Sequence, residues 1–266
     1  MNNIKSKYQI LLNKKNIKPI TCLTAYTISI AKIIDGKVDL VLVGDSLGTV
    51  LYGMKNTQSV TLQMIKEHGK AVANNIKKSL CIIDMPFNTY NSKNIALKNA
   101  KEIIKYTKCD FLKLETDKQN IEIIKHLSDN GINVVGHIGV NPQKFKNFNK
   151  IKSVGKTEKE NKSLMSQAIN LERAGAKFIV LECVKQDLAK KITTAINIPT
   201  IGIGSSKYCD GQVVVINDIL NIDSSFKKPR FIKQYMNLKK AISDVVDNYA
   251  KDVKNKKFPS KKHSYL

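Results

Sequence analysis

The stretch DFLKLETDKQNIEIIKHLSDNGINVVGHIG (110–139) contains the fold in miniature. An apolar run over 110–115 carries Lys113 and Glu115, and a helical pattern follows over 119–130. Gly131 stands where that helix ends, and a second apolar run over 133–137 carries His137. Successive side chains of a strand point to opposite faces, so Lys113 and Glu115 share one face while Leu112 and Leu114 share the other. Leucines suit a face covered by helices, which turns the charged pair toward the inner side. Near-continuous Val/Ile/Leu strands joined by helices are the pattern of parallel strands covered on both faces.

The unit recurs in both directions. Strands are expected at 19–24, 39–44, 80–84, 110–115, 133–137, 177–182, 198–203 and 213–216, with helices at 61–78, 92–107, 119–130, 161–174 and 186–196. Thr61 and Ser92 are placed to cap helices, and Gly131 and Gly175 to end them. Eight alternations favour an α/β fold of the (β/α)8 (TIM) barrel class over an open doubly wound sheet. Only the gap at 204–212 is too short for a helix. No Pro/Gly/Ser linker or repeat divides the 266 residues, and 42% hydrophobic content suffices for one large core. The reading is therefore one domain over 1–266, with a lead segment at 1–17 and a helical extension and tail at 229–266.

No apolar stretch approaches the roughly 20 residues of a membrane helix, and the N-terminus does not read as a signal peptide. Five widely spaced cysteines, an odd number without a C-x-x-C pair, read as reduced thiols in a cytoplasmic protein. The net charge of +23 raises nucleic acid as a partner. Against it, only Arg173 and Arg230 are arginines, the lysines are scattered, and no aromatic platform is clustered beside them. A solvated lysine surface is the simpler reading, with a field that helps recruit anionic substrates.

Five strands stop on polar residues: Asp45 with Ser46, Asp84, Lys113 with Glu115, His137, and Glu182. By alternation Val41, Val43 and Asp45 share a face, as do Ile82 with Asp84 and Val180 with Glu182. Each carboxylate then closes its strand at the C-terminal mouth, where barrel enzymes place their chemistry. Two like charges about 4 Å apart repel by roughly 4 kcal/mol at an effective dielectric near 20, so a cation is needed. Oxygen ligands favour Mg²⁺ over zinc, and Lys113 can face a substrate carboxylate. Alternatives remain open: an Asp after a strand is a common helix N-cap, and His137 is either a satisfied core residue or a substrate contact. GIGSSKYCDG (202–211) reads as a tight turn at the mouth, and Asp210 as a turn residue and not a third ligand.

The runs LTAYT (23–27), LVGDSLG (42–48), DMPFNTY (84–90), KLE (113–115), GHIGVNPQ (136–143), VLE (180–182), IPTIGIG (198–204), CDGQV (209–213) and FPSKKHSYL (258–266) together resemble the 3-methyl-2-oxobutanoate (ketopantoate) hydroxymethyltransferase family. The resemblance implies a (β/α)8 barrel, a homodecamer, and Mg²⁺-assisted transfer of a one-carbon unit from 5,10-methylenetetrahydrofolate to a 2-keto acid. It further implies Asp45 and Asp84 as Mg²⁺ ligands with Glu115 in or just outside the first shell. Ser46, Lys113, Asp45 and Asp84 would hold the substrate, and Glu182 would be the base. The chain departs from the pattern at Thr116 and Asp117, at Lys185, and at Ser205 and Ser206. Rival readings are a Mg²⁺-dependent barrel of the isocitrate lyase and phosphoenolpyruvate mutase type, and a basic RNA-binding protein.

Overall fold

Eight parallel strands close on themselves in sequence order, so that the last pairs with the first. They are β1 (Ile20–Thr24), β2 (Leu40–Val43), β3 (Leu80–Asp84), β4 (Phe111–Glu115), β5 (Val134–Gly139), β6 (Phe178–Glu182), β7 (Thr200–Ile203) and β8 (Gly211–Val214). This computed structural model describes residues 2–117, 120–146, 152–222 and 229–265. The chain divides into two compact units, Met1–Val215 and Ile216–Leu266.

The barrel unit carries helices α1 (Asn2–Lys14), α2 (Ile28–Ile34), α3 (Leu47–Val50), α4 (Leu62–Ala73), α5 (Lys93–Thr107), α6 (Ile121–Asp129), α7 (Glu158–Arg173) and α8 (Gln186–Ala195). The expected caps are made: Thr61 accepts from Met64 N–H and Ser92 from Ile95 N–H. Gly131 and Gly175 end their helices at φ +78° and +91°. Helix α7 begins three residues before its expected start because Thr157 and Glu160 form a capping box. Helix α4 stops before its expected end at 78, where the Asp35 carboxylate accepts from the backbone N–H groups of Lys77, Lys78 and Ser79.

Inside the barrel, Ile20, Leu40, Leu80, Phe111, Val135 and Phe178 belong to one buried cluster. Fully burying each such side chain contributes about 1.5–3 kcal/mol. Helix α1, within the 1–17 lead segment, covers the N-terminal ends of the strands. Tyr8 lies against Phe111 and Phe178, with ring centroids 5.9 and 5.4 Å away, and Leu11 joins the same cluster. Asp210, just before β8, secures this end: it accepts from Lys15 Nζ (2.8 Å), Asn16 N–H (3.0 Å) and Thr200 N–H (2.9 Å). The turn reading of Asp210 is thus extended to an anchor at the end remote from the mouth.

Two expectations need correction. Strand β8 begins at Gly211, two residues before the expected 213, because its pairing with β1 starts there, Gly211 opposite Ile20, and a residue without a side chain permits that close seam. A Cβ on Gly211 would sit 2.5 Å from the Ile20 carbonyl oxygen. The shared face of Val41, Val43 and Asp45 also fails. Leu40 and Leu42 are the inward residues of β2, the strand ends at Val43, and Asp45 reaches the mouth through the turn at Gly44 instead of by alternation.

In the second unit, α9 (Ile216–Leu220) precedes α10 (Leu238–Lys254), whose N-cap Asn237 accepts from Lys240 N–H. The one or two helices expected after 229 are therefore one. Within α10, Ile242, Val245, Val246, Tyr249 and Val253 are exposed at helical spacing.

Candidate active site

Register brings the strand-end residues together. Asp84 pairs with Lys113 across β3 and β4, Glu115 with His137 across β4 and β5, and Gly139 with Glu182 across β5 and β6. Phe111, Lys113 and Glu115 alternate inward as the sequence implied, the aromatic ring at the closed end and the two charges toward the mouth. Asp45, Asp84, Lys113, Glu115 and His137 are all buried. Glu182 is more open, with its side chain 15% exposed, and Ser46 is half-buried.

Gly44 lets the chain fold over Asp84: a Cβ there would meet Ser46 Oγ at 2.8 Å and Asp84 Oδ2 at 3.5 Å. The turn directs Asp45 N–H onto Asp84 Oδ2 at 3.0 Å. Asp84 Oδ1 faces Lys113 Nζ at 3.2 Å and, beyond that ion pair, has no partner. Ser46 Oγ shares a 2.7 Å hydrogen bond with the Tyr26 hydroxyl.

Lys113 Nζ also stands 3.2 Å from His137 Nδ1. An ammonium only donates, so Nδ1 accepts and the ring proton sits on Nε2. Nε2 donates to the Val140 carbonyl at 2.9 Å and lies 3.4 Å from Glu182 Oε2. Burial, then the Lys113 charge, hold the imidazole pKa well below its ordinary value, so His137 is neutral. Of the two readings open in the sequence, the ring is satisfied in the core and also lines the pocket between Lys113 and Glu182.

The carboxyls resist ionisation together. Burial pushes Asp84 up to about 7, Lys113 opposing and Asp45 adding to the rise. Burial also raises Glu182 to about 8, with Lys113 again opposing. Asp45 is raised by burial, and Glu115 well above its usual range by burial and then by Asp45. Burial disfavours the Lys113 charge, but Asp84, Asp45 and Glu115 outweigh it and raise its pKa. Among the described residues one ammonium therefore faces four carboxyl groups, and the balance calls for further positive charge.

Among the described residues no set of three His, Cys, Asp or Glu side chains forms a metal cage. Asp45 and Asp84 still fit a hard cation. They are two buried carboxylates, one with an oxygen lacking a hydrogen bond, and Mg²⁺ commonly binds one or two carboxylates while keeping water and substrate oxygens. Both oxygens of Glu115 are engaged by Gln143 N–H, at 3.0 and 3.1 Å.

Sequence reasoning missed Gln143, Tyr90 and Tyr26. All three lie in the quoted blocks GHIGVNPQ, DMPFNTY and LTAYT, but an amide or a phenol beside a turn has no spacing rule that marks it. A cleft of about 680 Å³ also opens on the outer face beside α7 and α8, with Arg173, Lys185 and Asp187 in its lining. It gathers no comparable set of buried ionisable groups.

A closed parallel barrel with buried ionisable groups converging at the C-terminal ends of its strands defines a (β/α)8-barrel enzyme. The sequence profile of the ketopantoate hydroxymethyltransferase family matches residues 5–261. The 3-methyl-2-oxobutanoate hydroxymethyltransferase of Pelagibacter ubique is 51% identical over 254 residues, covering 96% of this chain and 97% of that protein. Those of Rhizobium etli (46% identical; 94% and 92% covered) and Helicobacter pylori (42%; 95% and 93%) are similar over the same span. The chain belongs to the ketopantoate hydroxymethyltransferase family and is a transferase. Among solved structures it is similar in fold to 2,3-dimethylmalate lyase, a phosphoenolpyruvate mutase/isocitrate lyase superfamily member. The TM-score is 0.62 at 11% identity, with 98% of this chain and 91% of that chain covered. Phosphonopyruvate hydrolase complexed with oxalate and Mg²⁺ gives a TM-score of 0.56 at 11% identity, with 97% and 93% covered.

Proposed function

We propose that the protein transfers a hydroxymethyl unit from 5,10-methylenetetrahydrofolate to 3-methyl-2-oxobutanoate, forming 2-dehydropantoate in pantothenate biosynthesis. The observation that carries this reading is Glu182. It is a buried base raised to about 8, beside a neutral imidazole, in a pocket whose ammonium and paired aspartates suit a 2-keto acid.

Asp45 and Asp84 would hold Mg²⁺, with Glu115 supporting them. The bound ion would supply Lewis-acid polarisation of the keto oxygen. Ser46 and Lys113 position the substrate together with the two aspartates. When the C3 proton leaves to Glu182, negative charge moves onto the keto oxygen, and Lys113 stabilises it more than it stabilises the ground state. His137 Nε2, 3.4 Å from Glu182 Oε2 while its proton goes to the Val140 carbonyl, lines the pocket beside that carboxylate. The C3 carbon then bonds to the methylene carbon of the folate, both bonds from that carbon to the folate nitrogens break, water supplies the hydroxyl, and tetrahydrofolate leaves with the proton taken from C3 and one proton of the water. Of the phosphonopyruvate hydrolase neighbour only the fold is shared at this identity; that protein binds oxalate and Mg²⁺, which supports the reading of such a pair here. Lyase or mutase chemistry has the fold in its favour, whereas the family match favours transfer.

Exchange at C3 separates these readings. With Mg²⁺ and no folate, the protein should exchange the C3 hydrogen of 3-methyl-2-oxobutanoate with deuterated water, which a lyase would not do. Glu182→Gln should bind the keto acid yet lose exchange by about 10²–10⁴-fold. Undiminished exchange in that variant would remove Glu182 from its role. The same reading places the protein in the cytoplasm as a homodecamer, which sedimentation tests.

A further inference from the structure

We propose that Gln143 is the positioning residue of the acidic pocket, fixing the Asp45 carboxylate for its cation through an amide whose orientation Tyr90 sets. The inference rests on the reading of Asp45 and Asp84 as metal ligands. Gln143 is 2% exposed and lies in the 3-10 turn Pro142–Lys144 that follows β5. Its side-chain Nε2 donates to Asp45 Oδ2 at 2.8 Å and to the Met85 carbonyl at 3.1 Å. Its Oε1 accepts from the Tyr90 hydroxyl. Its backbone N–H serves Glu115, and its carbonyl accepts from Gln58 Nε2 at 2.8 Å.

These bonds leave the amide one orientation. Asp45 Oδ2 and the Met85 carbonyl both accept, so the nitrogen must face them. The Tyr90 hydroxyl must then donate to Oε1. A flipped amide would set oxygen against oxygen at two buried contacts, which low dielectric makes costly. One residue thereby links the chain just past β2 and β3 to the end of β4, and it stops rotation of the Asp45 carboxylate. Outer partners of this kind orient a metal's own ligands.

A purely structural bridge would lower stability when removed, without coupling to the ion. Mn²⁺ alone is the probe, titrated into the purified protein and followed by the electron paramagnetic resonance of the free ion. Wild type should bind, and Asp84→Asn should lose the site. Gln143→Met should weaken Mn²⁺ by about 10–100-fold, and Tyr90→Phe should weaken it less. The double variant should be no weaker than Gln143→Met if, as proposed, the Tyr90 hydroxyl reaches Asp45 through the amide. Gln143→Met and Tyr90→Phe that both bind as wild type does, while Asp84→Asn does not, would overturn the proposal. So would single effects that simply add. If Gln143→Met does not fold, Tyr90→Phe decides alone: weakened binding supports the proposal and wild-type binding overturns it. Equal Mn²⁺ binding by wild type and Asp84→Asn would overturn the metal reading and this inference with it.

Discussion

Among the described residues Lys113 is the one ammonium facing the four carboxyls, 3.2 Å from both Asp84 and His137. It opposes the rise of Asp84 to about 7, adds to the burial that keeps His137 neutral, and would meet the charge that develops on substrate. Removing one partner of a buried ion pair typically costs about 3–5 kcal/mol. Lys113→Met in metal-free protein should approach that loss in alkaline buffer. The loss should be smaller in acidic buffer, where Asp84 takes up a proton and no bare charge remains. Urea unfolding at the two pH values checks this, and an equal loss at both would show that the pair carries no charge. Glu182 gives a second prediction. A general base works deprotonated, so exchange at C3 should climb with pH and level off above about 8, as measured by proton NMR in buffered deuterated water.

At the level of elements, the barrel separates its two ends. Helix α1 and the Asp210 anchor lie where the strands begin, and the pocket lies where they finish. Asp210 accepts from Lys15, Asn16 and Thr200 with its side chain nearly fully buried. Asp210→Ala would leave the Lys15 ammonium without its counter-charge, with only the Thr193 carbonyl as partner, and two backbone donors without theirs. It should therefore cost about 3–5 kcal/mol in chemical denaturation while leaving kcat per folded molecule near wild type. A selective fall in kcat with stability intact would mean that the two ends are not independent. The strands differ in how they deliver their polar residues. In β3, β4 and β6 the alternation that buries apolar residues also aims Asp84, Lys113 with Glu115, and Glu182 inward. After β2 a glycine turn does that work.

For the molecule as a whole, the raised carboxyls couple the pocket to folding. Glu182 has a folded pKa of about 8 against about 4.3 in an unfolded chain. Between those values the native state holds more protons than the unfolded state, so its stability falls as pH rises through the window. Asp84, at about 7, adds to the same trend. Thermal melts in EDTA should therefore drop from pH 5 to pH 8. Mg²⁺ should oppose the drop, because it binds the ionised pair; at a hundredfold excess over Kd, ligand binding contributes about 2.7 kcal/mol. Melts indifferent to both pH and Mg²⁺ would contradict the linkage. The net charge of +23 enters only as a long-range field, and kcat/KM for the anionic keto acid should decline with ionic strength.

The sequence by itself determined the eight alternations, the helix caps at Thr61 and Ser92 with the helix ends at Gly131 and Gly175, and the inward face of Lys113, Glu115, Asp84 and Glu182. Each follows from local rules: a period of two along a strand, and a hydroxyl or glycine at a helix end. Only tertiary structure decided the rest. Barrel closure set β8 two residues earlier, since the constraint on Gly211 is the Ile20 carbonyl of a strand nearly two hundred residues away. Packing also settled the His137 tautomer and gathered Gln143, Tyr90 and Asp45 into one network. Hydrogen bonds between residues so far apart in the chain leave no period or spacing to read.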